Sequence, residues 1–227
     1  MDKVNCIENY HGTLVADPYR WLEDSESSES QAWIGEQNNR TWEFLDGPLR
    51  EEIRERLTQL WDYPKYELPK EAGGRLFFQK NDGLQNQAVL YCQQPGKDPF
   101  PVLDPNTLSS DGTVALTRFE PSPDGKLLAY ALSASGSDWQ EIRIRNVDTG
   151  QDYPETVHWC RFTSLPWTPD GKGFFYSRFP ETGTVPPEDQ SNYCMVCYHA
   201  VGTPQTDDIL IYRRPDAKEL GFTPLVS

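Results

Sequence analysis

The sequence predicts a mainly β protein built from repeated units of three or four short strands, the pattern of a β-propeller, with a helical arm ahead of it. Three observations carry this. Residues 122–130 read Ser-Pro-Asp-Gly-Lys-Leu-Leu-Ala-Tyr and return 46 positions later, at 168–176, as Thr-Pro-Asp-Gly-Lys-Gly-Phe-Phe-Tyr. A weaker copy, Gly73-Gly74-Arg75-Leu76-Phe77-Phe78, aligns with 124–129 at an offset of 51. Before residue 65 the apolar spacing is helical instead. A fixed period of roughly 45 to 50 residues with several strands per unit is the spacing of propeller blades. A β-sandwich competes with this reading, but it does not predict an aligned repeat.

In each copy Pro-Asp-Gly supplies a turn. Proline pre-sets φ, glycine is free to take positive φ, and the apolar run that follows reads as a strand. A polar break and a second strand-like run come next: 81–83 then 88–91, 135–137 then 141–145, and 180–192 then 194–198. Third runs at 113–116 and 209–212 lead towards the next repeat. The blades are therefore expected to start near residues 74, 125 and 171, with a further one begun near 218 where the chain stops, an open arc of about three blades. Unpaired strand edges in such an arc favour association, so the chain reads as truncated at Ser227.

The arm is expected over residues 1–64 and the β region over 65–227. Ser27-Ser28-Glu29-Ser30 suits a helix start, with acid where the helix dipole favours it, and Ile34, Thr41, Trp42 and Leu45 follow at helical spacing. Pro48 suits the first position of a second helix, in which Leu49, Ile53, Leu57, Leu60 and Trp61 share one face and Glu52 and Arg56 stand four apart. Tyr63-Pro64 ends it. Such a face must be buried against something, either the β region or a domain outside this chain.

Composition narrows the function classes. At 227 residues the chain is long enough for a real core, and 12% aromatics suit a β interior. A net charge of −14 without any basic run argues against nucleic acid. No apolar stretch approaches the roughly 18 residues that cross a bilayer, and Met-Asp-Lys-Val-Asn does not start a signal peptide. No membrane partner and a cytosolic location are expected. Five scattered cysteines, Cys6, Cys92, Cys160, Cys194 and Cys197, fit reduced thiols.

Catalytic patterns are sparse. No Gly-x-Ser-x-Gly elbow is present, and Ser133-Ala134-Ser135-Gly136-Ser137 reads as a turn between strands. His11, His158 and His199 read as surface or packing histidines. Cys194-x-x-Cys197 lacks the second ligand pair that a zinc site needs, and residues three apart on a strand face opposite sides. Asp207-Asp208 reads as part of a solvated loop. No metal, cofactor or catalytic residue is expected within the chain.

Longer stretches carry a resemblance. Asp17-Pro18-Tyr19-Arg20-Trp21-Leu22-Glu23-Asp24, Leu60-Trp61-Asp62-Tyr63-Pro64-Lys65-Tyr66, Gly83-Leu84-Gln85-Asn86-Gln87, Leu103-Asp104-Pro105-Asn106, Leu132-Ser133-Ala134-Ser135-Gly136-Ser137-Asp138-Trp139 and Trp167 with Asp170-Gly171-Lys172-Gly173 resemble, in unbroken order, the amino-terminal part of a prolyl oligopeptidase. The resemblance implies a two-domain cytosolic serine endopeptidase that cuts short peptides after proline. Its α/β-hydrolase domain carries Ser, Asp and His late in the chain, and a seven-bladed propeller screens the active site. The helical arm would then pack on the α/β-hydrolase domain, which is missing here along with the triad. This chain supplies part of the gate and is expected to be inactive alone. Phe162 resembles a propeller phenylalanine that lines a substrate subsite, and residues 180–192 resemble a mobile loop near the domain interface. The alternative reading is a stand-alone, non-catalytic propeller-type interaction module.

Overall fold

The computed structural model describes residues 6–227; the opening Met1-Asp2-Lys3-Val4-Asn5, read above as no signal peptide, lies outside the described residues. The chain divides into two compact units, Met1–Leu60 and Trp61–Ser227.

In the first unit, strands β1 (Ile7–Tyr10) and β2 (Thr13–Ala16) form an antiparallel hairpin that the sequence reading passes over. His11 and Gly12 close it, both at positive φ, and the Asn9 side chain accepts from the Gly12 N–H at 2.6 Å. The charged segment after it is a clamp. Arg20 donates to both Glu8 carboxylate oxygens, at 3.0 and 2.8 Å, and to Asp17 at 2.7 Å. Hydrogen bonds from Tyr10 and Arg20 hold the Glu8 carboxyl below its usual range.

Helix α1 spans Ser28–Leu45 and α2 spans Pro48–Trp61, where the caps and spacing place them. Ser27 is the N-cap of α1, its hydroxyl accepting from the Ser30 N–H at 3.2 Å. Ser27→Ala is expected to cost about 1 kcal/mol, seen as a lower unfolding midpoint of this unit; an unchanged midpoint would contradict the cap. The Glu52–Arg56 pair does not form: Arg54 pairs with Glu51, and Arg50 with Asp46 at 3.3 Å. Exposed pairs between long side chains are held so weakly that sequence spacing does not select among them. Leu49, Ile53, Leu57 and Leu60, which share one face of α2, are all exposed.

The second unit is β. Strands β3 (Lys65–Tyr66) and β4 (Lys70–Ala72) both pair with β5 (Arg75–Asn81), followed by β6 (Val89–Gln93) and β7 (Phe100–Leu103) in one antiparallel sheet. A second path runs in sequence order through β8 (Val114–Pro121), β9 (Leu127–Ala134), β10 (Trp139–Asn146), β11 (Asp152–Arg161), β12 (Gly173–Arg178), β13 (Met195–Ala200) and β14 (Ile209–Arg213). Between β11 and β12 the pairing narrows to Cys160 opposite Arg178, which separates one blade from the next. The sheets do not close into a ring among the described residues, as in a partial propeller.

The run at 113–116 opens the following sheet, since β8 pairs with β9 from Val114–Ala134 to Pro121–Leu128. The blade that holds the first Pro-Asp-Gly turn thus includes the strand ahead of that turn. Strands β7 and β11, absent from the sequence reading, contain Pro101 and Pro154. Proline breaks the strand signal, yet an outer strand tolerates it where no ladder donor is needed. Residues 214–227, where another blade is expected near 218, form no strand; Ser177 and Ser164 donate there to the Phe222 and Pro224 carbonyls at 2.5 and 2.6 Å.

The two Pro-Asp-Gly turns are copies in atomic detail. Asp124 Oδ1 accepts from the Ser122 hydroxyl at 2.8 Å and the Lys126 N–H at 3.0 Å; Asp170 Oδ1 accepts from Thr168 at 2.7 Å and Lys172 at 3.1 Å. Gly125 and Gly171 both take φ of 68°. Only the first is pressed by the neighbouring blade. A Cβ on Gly125 would lie 2.5 Å from the Ala72 carbonyl oxygen, and one on Gly73 would lie 2.0 Å from that of Asp124.

Two cores fill the spaces between sheets. Phe77, Leu90, Leu103, Leu128 and Tyr130 pack between the first blade and β8–β9. Ala129, Ile142, Ile144, Val157, Trp167, Phe174 and Tyr176 pack between the second and third blades. Alternation decides the sorting: Leu128 and Tyr130 point to one core and Ala129 and Ala131 to the other.

Candidate functional site: an exposed phenylalanine at a blade rim

Two of the five non-glycine residues at positive φ among the described residues lie in or just after the end of β11. Trp159 has φ of 62° and Phe162 of 47°, in the left-handed region that bulky residues avoid. Such strain persists only where the surroundings impose it, and it collects at functional sites. At Trp159 a bulge lies between the β10–β11 pairs Gln140–Cys160 and Ile142–Val157. Its carbonyl accepts from the Phe179 N–H at 2.8 Å.

Phe162 is 69% exposed. It stands at the corner between two blades, where charged and aromatic side chains surround it. The Arg161 guanidinium lies 5.6 Å from the Phe162 ring centroid and 5.1 Å from that of Trp139. It donates to Asp138 at 2.9 Å and to the Ser191 hydroxyl. One side chain therefore joins three segments: the β9–β10 hairpin with Asp138, the corner with Phe162, and the 180–192 loop with Ser191. Trp139 also meets Trp159 and Phe179 edge-on, at 6.5 and 6.1 Å. The 180–192 loop is tied at its far side, where Lys218 pairs with Asp189 at 2.7 Å.

The remaining candidates separate from this rim. Ser135 and Gly136 take φ of 52° and 72° and close the β9–β10 turn, and among the described residues none of the three histidines hydrogen-bonds to the serines there. His11 sits in the first hairpin turn. His158 is exposed, with Nδ1 3.6 Å from Glu141. Cys194 and Cys197 are buried, and burial pushes the Cys197 thiol up to about 11 and raises that of Cys194. A protonated thiol is a poor ligand and a poor nucleophile. No cluster that could hold a metal occurs among the described residues.

Asp208 corrects the reading of a solvated acid. Its side chain is 1% exposed, with Oδ1 2.7 Å from Nδ1 of a fully buried His199, while Oδ2 accepts from the Tyr176 hydroxyl at 2.6 Å. Gln205 donates to the same hydroxyl at 3.1 Å and holds the His158 backbone N–H and carbonyl. Burial, then the bond to Asp208, raises the Tyr176 phenol above its ordinary range. The adjacent Asp207 is exposed. No sequence signal separates the two acids, because the partners of Asp208 lie on β12 and β13.

Comparison with known proteins agrees with this architecture. The sequence model of the family described as "Prolyl oligopeptidase, N-terminal beta-propeller domain" matches residues 1–227. The prolyl endopeptidase of Elizabethkingia meningoseptica is 37% identical over 212 residues, which cover 92% of this chain and 30% of that protein. Prolyl oligopeptidase A of Galerina marginata is 36% identical over 92% of the chain and 32% of its own length. The chain therefore spans about 30% of the length of the curated relatives it matches. Among solved structures, one from a study of two prolyl endopeptidases superposes with a TM-score of 0.86 at 31% identity, covering 95% of this chain and 32% of its own. Prolyl oligopeptidase B of Galerina marginata, bound to a 25mer macrocyclization substrate, gives 0.81 at 29%, over 95% and 34%.

Proposed function

Because the chain belongs to the prolyl oligopeptidase family and corresponds to its N-terminal propeller part, we propose that it serves a serine endopeptidase that cleaves short peptides after proline. Its role there is to gate. The propeller excludes folded proteins from an active site on an α/β-hydrolase domain, while flexible peptides pass. The triad belongs to that other domain, and the exposed face of α2 is the surface that would receive it. The five cysteines are free, which suits the cytosolic location this reading includes.

Phe162 is the side chain of this chain that meets the peptide. The observation that carries this is a 69% exposed aromatic at φ of 47°, with the Arg161 guanidinium over its ring. In the polypeptide that carries this chain, a reporter peptide should be cut after proline. Phe162→Ala should raise KM roughly tenfold with kcat much less affected. The 227-residue chain alone should leave the reporter intact. Hydrolysis that survives removal of contaminating peptidases would overturn the division of labour, and an unchanged KM in Phe162→Ala would remove that residue from the subsite.

A further inference from the structure

In a β-bulge two residues of one strand oppose one of the other, and the ladder is locally interrupted. Here His158 and Trp159 face the single residue Glu141, between the rungs Gln140–Cys160 and Ile142–Val157, so the ladder pairs neither of them. The His158 N–H and carbonyl turn instead to one side chain. Gln205 Oε1 accepts from the His158 N–H at 3.0 Å, and Gln205 Nε2 donates to the His158 carbonyl at 3.0 Å. A side-chain amide carries the same donor and acceptor as a peptide group, so Gln205 stands in for a missing strand residue. The carbonyl's other partner is the Cys160 thiol, a weak donor at 3.3 Å.

The amide is presented from a fixed base. Gln205 opens the short 3-10 turn Gln205–Asp207 between β13 and β14, next to the buried Asp208. Its Nε2 also donates to the Tyr176 hydroxyl at 3.1 Å, which donates in turn to Asp208. The same connection reaches β11 a second time, the Gly202 N–H donating to Glu155 at 2.7 Å. The third blade therefore grips the outer strand of the second just ahead of the Phe162 corner. Further along, the Thr163 hydroxyl accepts from the Ser177 N–H at 2.7 Å. The device occurs elsewhere too: Asn106, in the 3-10 turn Pro105–Thr107, accepts from the Gln87 N–H and donates to the Gln87 carbonyl, both at 2.9 Å. That clip serves the stretch ahead of β6, whereas the Gln205 clip holds the backbone that runs into Trp159 and Phe162.

We propose that Gln205 is a positioning residue for the peptide substrate: it does not meet the peptide, but it sets the backbone on which Phe162 is presented, so that the third blade fixes a subsite borne by the second. This rests on the reading of Phe162 as a subsite, and the test separates the two. In the polypeptide that carries this chain, kinetics on a proline reporter peptide are measured for Gln205→Met, Phe162→Ala and the double variant, with Asn106→Leu as the control that loses the other clip. Gln205→Met keeps the length of the side chain and removes its amide bonds. It should raise KM roughly three- to tenfold with kcat within about twofold of the parent, and the rise should vanish once Phe162 is alanine. Asn106→Leu should lower the melting temperature without moving KM. Gln205→Glu, which still accepts from the His158 N–H but sets a carboxylate against its carbonyl, should raise KM in the same way. An unchanged KM in both Gln205 variants, a rise undiminished in the Phe162→Ala background, or an equal rise in Asn106→Leu would overturn the proposal.

Should Phe162→Ala leave KM unchanged, or the parent cut nothing, the subsite reading fails and amide hydrogen exchange decides the role of Gln205 by itself. Residues 158–162 should then exchange about tenfold faster in Gln205→Met, with β13 as slow as in the parent. Unchanged exchange at 158–162, or faster exchange throughout the second unit, would overturn the positioning role.

Discussion

Gly125→Ala should destabilise the second unit by about 2–4 kcal/mol, whereas Gly171→Ala should cost only about 1–2 kcal/mol. The two glycines occupy the same position of the same turn, with the same φ of 68° and the same aspartate bonds. A side chain at either pays the left-handed backbone term, because Cβ crowds the following carbonyl. Only at Gly125 does it also meet fixed backbone, the Ala72 carbonyl oxygen at 2.5 Å; the nearest atom to Gly171 is Pro123 Cδ at 3.8 Å. Backbone cannot rotate aside as a long side chain does, so the first and second blades must separate locally. Urea midpoints of the two variants, measured side by side, give the result. Equal losses would show that the contact between blades is slack.

The second large effect centres on Asp208. Asp208→Ala leaves the Tyr176 hydroxyl without an acceptor and His199 Nδ1 without its neighbour, both inside the core. Each orphaned buried group costs about 1–3 kcal/mol, and breaking such a buried network by removing one partner costs about 3–5 kcal/mol. Asp208→Asn keeps an oxygen for Tyr176 and offers a donor to His199, so it should lose less than half as much. Chemical denaturation of both variants decides the matter: an alanine variant within about 1 kcal/mol of the parent would mean that the network can be replaced by water. His199 adds to the demand for order here, since its buried Nε2 has no partner among the described residues and its ring lies 5.4 Å from Phe174.

The fold was legible where its determinants are local. Ser27 and Pro48 mark helix starts through a cap bond and a preset φ, both written within a few residues. The Pro-Asp-Gly turns are read in the same way, because Asp124 and Asp170 bond to backbone two residues on. Strands β7 and β11 were hidden by their prolines, although their pairing partners β6 and β10 were not.

The site was less legible. The resemblance singled out Phe162, but its exposure follows from a corner between two blades, and its stacking arginine is anchored by Asp138 and Ser191, 23 and 30 residues away in sequence. Asp208 inverted the expectation for the same reason, its phenol partner lying 32 residues earlier. Trp159 carried no mark in the sequence that its backbone would be left-handed.

The single rung between β11 and β12 has a mechanical meaning. A ladder pinched to one residue pair transmits little shear, so adjoining blades are coupled through side chains such as Trp167, whose indole donates to the Glu120 carbonyl at 2.9 Å. Cooperativity in this unit therefore resides in the packing between neighbours, as in stacked arrays whose stability is a sum of modules and seams. An assembly jointed in this way can flex at its seams while each module stays rigid.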